Sequence, residues 1–287
     1  MKLLTRICTS YRQWNYIKKW IYQDKLFNEF TNWIILNDCP SDPLPYELKE
    51  VFQKRNIKFH EFTFNMGRCT ARNYGVNISN TKYVEHIDGD DLPLNIDTKL
   101  LENNSVDLIF FKIPHHRIDT SGKILPVLDN QKNIFYEGNQ INEFYSLLFP
   151  KWGENVVIRP AGTLWKRDVF LSLGGYDERF TGAEDAQLLW KAYLKEVSFK
   201  WEDCAKQSYL EETGQKLESE YLPIGYLKFW YFVKETCPAS IKDEVQKKIK
   251  AAHRQLLWKY KADMKIRSPE NLMFRIKESI KWILLEK

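Results

Sequence analysis

Cysteine is scarce and scattered in this chain: Cys8, Cys39, Cys69, Cys204 and Cys237 are five of 287 residues, with no Cys-x-x-Cys pair. An odd, dispersed set excludes a disulfide framework and a structural zinc site, and it suits a reducing compartment. The first residues, Met1-Lys2-Leu3-Leu4-Thr5-Arg6, lack the apolar core of a signal peptide. No run reaches the apolar length of a membrane span. A cytoplasmic protein is the expectation from these absences. Internal repeats and low-complexity linkers are missing as well, which excludes a repeat architecture. Histidine leaves a long gap, with none between His116 and His253.

What is present is ordinary in bulk and uneven in distribution. A hydrophobic content of 44% and a charged content of 28% fit a soluble globular protein. The length fits one large domain, or one domain with an appendage. Aromatic residues, at 15%, are abundant and point to a ring-rich core and ring-lined clefts. The net charge of +5 hides an asymmetry: residues 241–287 hold 13 Lys/Arg against 6 Asp/Glu, a net of +7, which leaves −2 for the rest. The basic excess belongs to the C-terminal segment and suits an anionic neighbour or plain solvent.

The first half alternates strands and helices. Apolar runs predict strands at 3–8, 33–36, 57–62 and 82–87, and helical spacing predicts helices at 14–30, 47–55 and 70–78. Such alternation means a parallel sheet with right-handed crossovers, and ligands there sit at the carboxyl ends of the strands. Three polar exits, Thr9-Ser10, Asp38 and Asp88-Gly89-Asp90, are therefore expected on one edge. The middle is less regular. A strand is expected over 106–113, paired with 124–127 through the Asp119-Thr120-Ser121-Gly122 turn, and the apolar run Val156-Val157-Ile158 precedes Arg159-Pro160-Ala161-Gly162. Helices follow at 167–173, from Glu184, and from about Tyr226 to the end.

Asp88-Gly89-Asp90-Asp91 ends the fourth predicted strand with three carboxylates in four residues. Like charges so close repel unless a cation neutralises them. Mg²⁺ is typically held by one or two carboxylates together with substrate phosphates. A calcium loop starting at Asp88 fails, because its twelfth position is Lys99 rather than Glu. Other candidates have bland readings beside functional ones. Asp38 reads as a turn-forming residue or as an acceptor for a base or ribose. Arg72 reads as a surface residue or as a guanidinium for a phosphate or base. Glu184-Asp185 opens a helix, where the dipole alone favours carboxylates, or presents a general base. His115 and His116 are adjacent on a predicted strand and point to opposite faces, so they do not share a metal. The amphipathic stretch 272–285 reads as core packing or oligomer contact in preference to peripheral membrane contact.

Taken in order, these motifs resemble the inverting glycosyltransferase family 2 with its GT-A fold. They are Thr9-Ser10-Tyr11, Asn37-Asp38, Gly67 with Ala71-Arg72-Asn73 and Gly75, Asp88-Gly89-Asp90, Gly174-Gly175-Tyr176-Asp177-Glu178, and Glu184-Asp185. The resemblance spans about residues 1–205 and implies an α/β fold, a mostly parallel Rossmann-like sheet flanked by helices. It implies a catalytic domain over 1–205, with a donor half of about 1–100 and an acceptor half of about 101–205. Residues 206–287 are then a basic, aromatic-rich helical extension. By the same resemblance Thr9, Tyr11, Asp38 and Arg72 contact a nucleoside diphosphate sugar, a UDP-sugar being favoured, and Asp88 faces its ribose. Asp90 holds Mn²⁺ or Mg²⁺ against the diphosphate, which stabilises the leaving charge. Asp185 deprotonates a hydroxyl of a glycan or glycolipid acceptor, Glu184 orients that acceptor, and Trp152 and Trp165 are candidates for stacking on sugar. The family's metal- or diphosphate-binding His is absent, leaving Lys206 or Gln207 at that place. Two alternatives accompany this reading: transfer to a nucleic-acid base through the basic extension, and a non-catalytic sugar-nucleotide-binding module, against which Asp90 and Asp185 argue.

Overall fold

The computed structural model describes residues 2–102, 104–112, 115–118, 124–125, 132–134, 154–156, 162–180, 182–203, 209–212 and 222–264. The strands are β1 (Leu4–Ser10), β2 (Thr31–Asn37), β3 (Lys58–Glu61), β4 (Tyr83–Asp88), β5 (Leu108–Lys112) and β6 (His115–Ile118). They continue as β7 (Ile124–Leu125), β8 (Lys132–Ile134), β9 (Glu154–Val156), β10 (Thr163–Lys166), β11 (Phe199–Asp203) and β12 (Tyr209–Glu212). The helices are α1 (Trp14–Trp20), α2 (Tyr46–Lys54), α3 (Arg68–Asn77), α4 (Arg167–Ser172), α5 (Glu184–Leu194), α6 (Leu222–Thr236) and α7 (Lys242–Met264).

Seven strands form the main sheet in the order β11-β5-β10-β4-β1-β2-β3. All run parallel except β10, which is antiparallel to both of its neighbours. Strand order reverses beside β1, with β2 on one side and β4 on the other, and such a switch point opens a crevice at the strand ends. Every residue of β1 is buried, as a strand covered on both faces requires. Register sets Thr9 opposite Asp88 and Ser10 opposite Asn37, so the three polar exits do share one edge.

The two faces of the sheet divide by alternation. One face packs Cys8, Trp33, Ile35 and Ile87 against Trp14, Ile17 and Trp20 of α1 and Leu48 and Phe52 of α2. The other receives α3, whose Gly75 lies so close to Ile7 that an added Cβ would sit 2.4 Å from its Cγ2.

Several expectations needed correction. The helix expected over 14–30 ends at Trp20 and continues as a single 3₁₀ turn, Asp24–Leu26. Trp33 explains the break: its Nε1 donates to the Leu26 carbonyl at 3.1 Å, and Trp20 and Phe27 both stack on its ring. Such ring pairs add about 0.5–1.5 kcal/mol each beyond burial, more than a further turn of exposed helix supplies. Residues 124–125 pair with β6, a separate strand, and not with β5. Antiparallel β10 was not foreseen, and Val156 ends β9, a strand paired with β8. Residues 272–285, Trp152, Lys206 and Gln207 lie outside the described residues.

The chain divides into two compact units: Met1–Glu178 with Leu188–Lys216, and Arg179–Gln187 with Leu217–Lys287. Within the second, α6 and α7 pack together. Tyr231 Oη lies 3.1 Å from His253 Nε2, and Phe180 sets its ring edge-on to Phe232. Among the described residues no helix is long and apolar enough to cross a membrane.

Candidate active site

Asp88 is the last residue of β4, and alternation turns it to the α3 face. There Arg72 Nη2 donates to Asp88 Oδ1 at 2.5 Å, and Thr9 Oγ1 donates to the same oxygen at 3.4 Å. Arg72 is 1% exposed while the Asp88 side chain is 32% exposed, so the guanidinium holds the carboxylate from the protein side. Burial pushes the Asp88 carboxyl up, but the charge and hydrogen bond of Arg72, with Arg68 adding, hold it below the usual carboxylate range.

Arg72 is itself supported from below. Its guanidinium lies 5.3 Å over the Tyr176 ring, and the Tyr176 hydroxyl reaches His86 Nδ1 at 3.4 Å. Burial, then the nearby Arg72 charge, push the His86 ring down to about 3, so it is neutral. Asn73, the next residue of α3, makes a two-pronged contact with the backbone of Tyr176. Its Nδ2 donates to the carbonyl at 2.8 Å, and its Oδ1 accepts from the N–H at 2.9 Å. Gly175 has φ +66°, and a Cβ there would fall 2.5 Å from Asn73 Oδ1. Only glycine meets both conditions. The sequence reading places Tyr176 and Asn73 in motifs without giving either a task; the spacing of adjacent Arg and Asn on one helix turn is the signal that was available.

Asp38 leaves β2 buried, and both of its oxygens are engaged. They accept from Met66 N at 2.6 Å and Gly67 N at 3.0 Å, which fastens the loop that enters α3. Burial pushes its carboxyl up, with those two N–H groups opposing. Its neighbour Asn37 shapes the following loop through Cys39 O, Asp42 O and Glu61 Oε2. Tyr11 is 49% exposed at the end of β1, with the Arg12 guanidinium over its ring. Gly89 bonds its N–H to Thr9 O at 2.8 Å, and a Cβ there would meet Gln13 at 2.7–2.9 Å.

Three carboxylates therefore crowd the end of β4, and their field reaches the core. Burial first, then Asp88, Asp91 and Asp90, push the Cys8 thiol well up. Among the described residues no three His, Cys, Asp or Glu side chains converge as a closed metal cage. Hard oxygen donors in an open, negative site fit a Mg²⁺- or Mn²⁺-type ion shared with phosphates.

Glu184 and Asp185 open α5 and belong to the second compact unit. Glu184 is 2% exposed, and its Oε2 accepts from Gly182 N at 2.7 Å. Burial, then Asp185 and Glu184, push the phenol of Tyr226 on α6 up. Trp165 is 3% exposed in β10, with its ring edge-on to Phe170 inside the core. The structure thus brings Thr9, Arg72 and Asp88 into contact and sets Asp38 at the entry to α3.

A mostly parallel seven-stranded sheet that switches order beside β1, flanked by helices and followed by C-terminal helices, is a GT-A-like fold, the class of many glycosyltransferases. Residues 6–211 match the profile described as glycosyltransferase like family 2, and the chain belongs to that family. An uncharacterized glycosyltransferase from Methanocaldococcus jannaschii is 28% identical over 204 residues, 66% of each chain. Another, from Rickettsia bellii, is 31% identical over 102 residues, 34% of this chain and 14% of its own. The matches thus span just under two thirds and about a seventh of those relatives. S. aureus TarS 1–349 in complex with UDP-GlcNAc is similar in fold, with a TM-score of 0.65 at 15% identity over 98% of this chain and 81% of that one. Mannosyltransferase PcManGT from Pyrobaculum calidifontis, in complex with GDP-Man and Mn²⁺, gives 0.55 at 13% identity over 99% and 88%.

Proposed function

We propose that this protein transfers a sugar, with inversion, from a nucleoside diphosphate sugar to a hydroxyl of a glycan or glycolipid. The carrying observation is the Arg72–Asp88–Thr9 contact at the end of β4, within an acidic cluster at the sheet's switch point. Asp38, Thr9 and Tyr11 line the nucleotide side, and Arg72 acts on the donor by fixing Asp88 toward the ribose. A UDP-sugar is the favoured donor, supported by the fold shared with TarS, which has been solved with UDP and UDP-GlcNAc. Asp90 would hold Mn²⁺ or Mg²⁺, which supplies charge for the departing diphosphate when bound. The fold of PcManGT, solved with GDP-Man and Mn²⁺, supports this.

Asp185 takes the proton of the acceptor hydroxyl as it attacks the anomeric carbon from the face opposite the leaving group. Glu184, buried and tied to Gly182, orients the acceptor. Both belong to the second compact unit. A thermal-shift panel of nucleoside diphosphate sugars with and without Mn²⁺ tests the reading, because specific binding stabilises the folded state. Metal-dependent stabilisation by one of them is expected; none with any donor overturns the proposal.

A further inference from the structure

Arg6 and Glu85 carry charge into the middle of the sheet, on the face opposite α3, and no step proposed above uses them. They stand opposite each other in the β1–β4 register and are 2% and 0% exposed. Arg6 Nε lies 3.0 Å from Glu85 Oε2. The second end of the guanidinium, Nη2, donates to the Leu94 carbonyl at 2.5 Å. The second carboxylate oxygen, Oε1, accepts from Gly162 N at 2.8 Å. Four segments meet here: β1, β4, the stretch that follows Asp91, and Gly162, the residue before β10.

Stability alone does not explain the pair, since well-packed apolar residues of similar volume usually serve a core as well or better. Direction is what the two charges add. A planar guanidinium presents several donors in fixed geometry, and a carboxylate accepts at two oxygens. Residues 92–97 have no regular structure, and the side chains of Leu94 and Ile96 are buried. A buried carbonyl in such a stretch needs a partner, and Arg6 gives Leu94 one.

We infer that Arg6 and Glu85 are positioning residues for donor binding: from the far face of the sheet they set the path of residues 89–97, and with it the carboxylates of Asp90 and Asp91. The inference rests on the donor reading above. Arg6→Lys in the full chain keeps a charge for Glu85 but lacks the second donor arm toward Leu94. The double variant Arg6→Met/Glu85→Leu replaces the pair with apolar side chains and keeps the core filled. Both are expected to fold, the double variant melting somewhat lower because the Leu94 carbonyl and the Gly162 N–H lose these partners. Amide exchange across 89–97 should quicken while β1 and β2 stay protected. Calorimetric Kd for UDP or GDP with Mn²⁺ should rise about tenfold, the lower end for loss of support behind a metal site. Unchanged exchange, or faster exchange with unchanged Kd, in the folded double variant overturns the inference. Wild type that binds neither nucleotide with Mn²⁺ overturns the donor reading instead, and the exchange comparison still decides whether the pair sets the loop.

Discussion

Arg72 meets Asp88 inside the protein, its Nη2 2.5 Å from Oδ1, so the first carboxylate of the acidic cluster is bound to a cation before any ligand arrives. Removing that cation leaves a largely desolvated carboxylate. Arg72→Met should cost about 3 kcal/mol, the low end for breaking a buried pair because Asp88 retains some solvent. Denaturant unfolding at pH 7 measures this. The Asp88 carboxyl is depressed in the fold, so the pair's contribution is complete above the unfolded carboxylate range and fades as pH falls through the folded value. Wild type and variant should converge in acid.

His86 gives a second pH dependence. The unfolded ring takes a proton near pH 6.5, while the folded ring, buried against Phe170 and Tyr176, takes one only near 3. Between those values the unfolded chain binds more protons, so stability falls as pH falls. The expected loss from pH 7 to pH 5 is about 2 kcal/mol. In His86→Gln that component disappears, and comparing the pH slopes of unfolding free energy between the two proteins shows it. Equal slopes would remove His86 as the cause.

Gly174 and Gly175 both have positive φ, 82° and 66°, yet only the second crowds a neighbour. Alanine at 174 meets nothing nearer than Lys191 Nζ at 3.9 Å, so its cost is backbone strain, about 1 kcal/mol. Alanine at 175 also displaces Asn73 and its two bonds to Tyr176, each about 1 kcal/mol. Thermal melts should rank the 175 variant clearly below the 174 variant; an equal ranking would mean the Asn73 contact contributes nothing.

For Asp185→Asn, donor affinity should stay within twofold of wild type, while turnover falls about 10²–10⁴-fold, as loss of a general base implies. Single-turnover measurement alongside donor titration separates the two effects. A variant with normal turnover would strip Asp185 of its role.

The parallel core was legible because its strands are short apolar runs with polar exits, and register brought Thr9 and Asp88 together as those exits implied. Four features were not legible, for physical reasons. Thr163–Lys166 mixes a hydroxyl, two apolar residues and a lysine, too little pattern to announce a strand, and its place is set by the gap between β4 and β5. The break after Trp20 depends on Trp33, thirteen positions away, whose ring neither helix propensity nor spacing can see. Arg6 and Glu85 look like two charges in separate strands, and only the pairing register makes them partners. The grouping of Arg179–Gln187 with the C-terminal helices is likewise a tertiary fact with no local signal.

β10 completes the sheet from a distance. Its first residue, Thr163, lies 75 positions beyond Asp88, the end of the strand it covers. At a synthesis rate of about 5–20 residues per second, the outer edge of β4 waits about 4–15 s for its partner. Until then a growing chain displays an open row of backbone donors and acceptors, a template that a neighbouring nascent chain on the same messenger can pair with. Slower initiation, which spaces the ribosomes, should therefore raise the soluble yield of this protein.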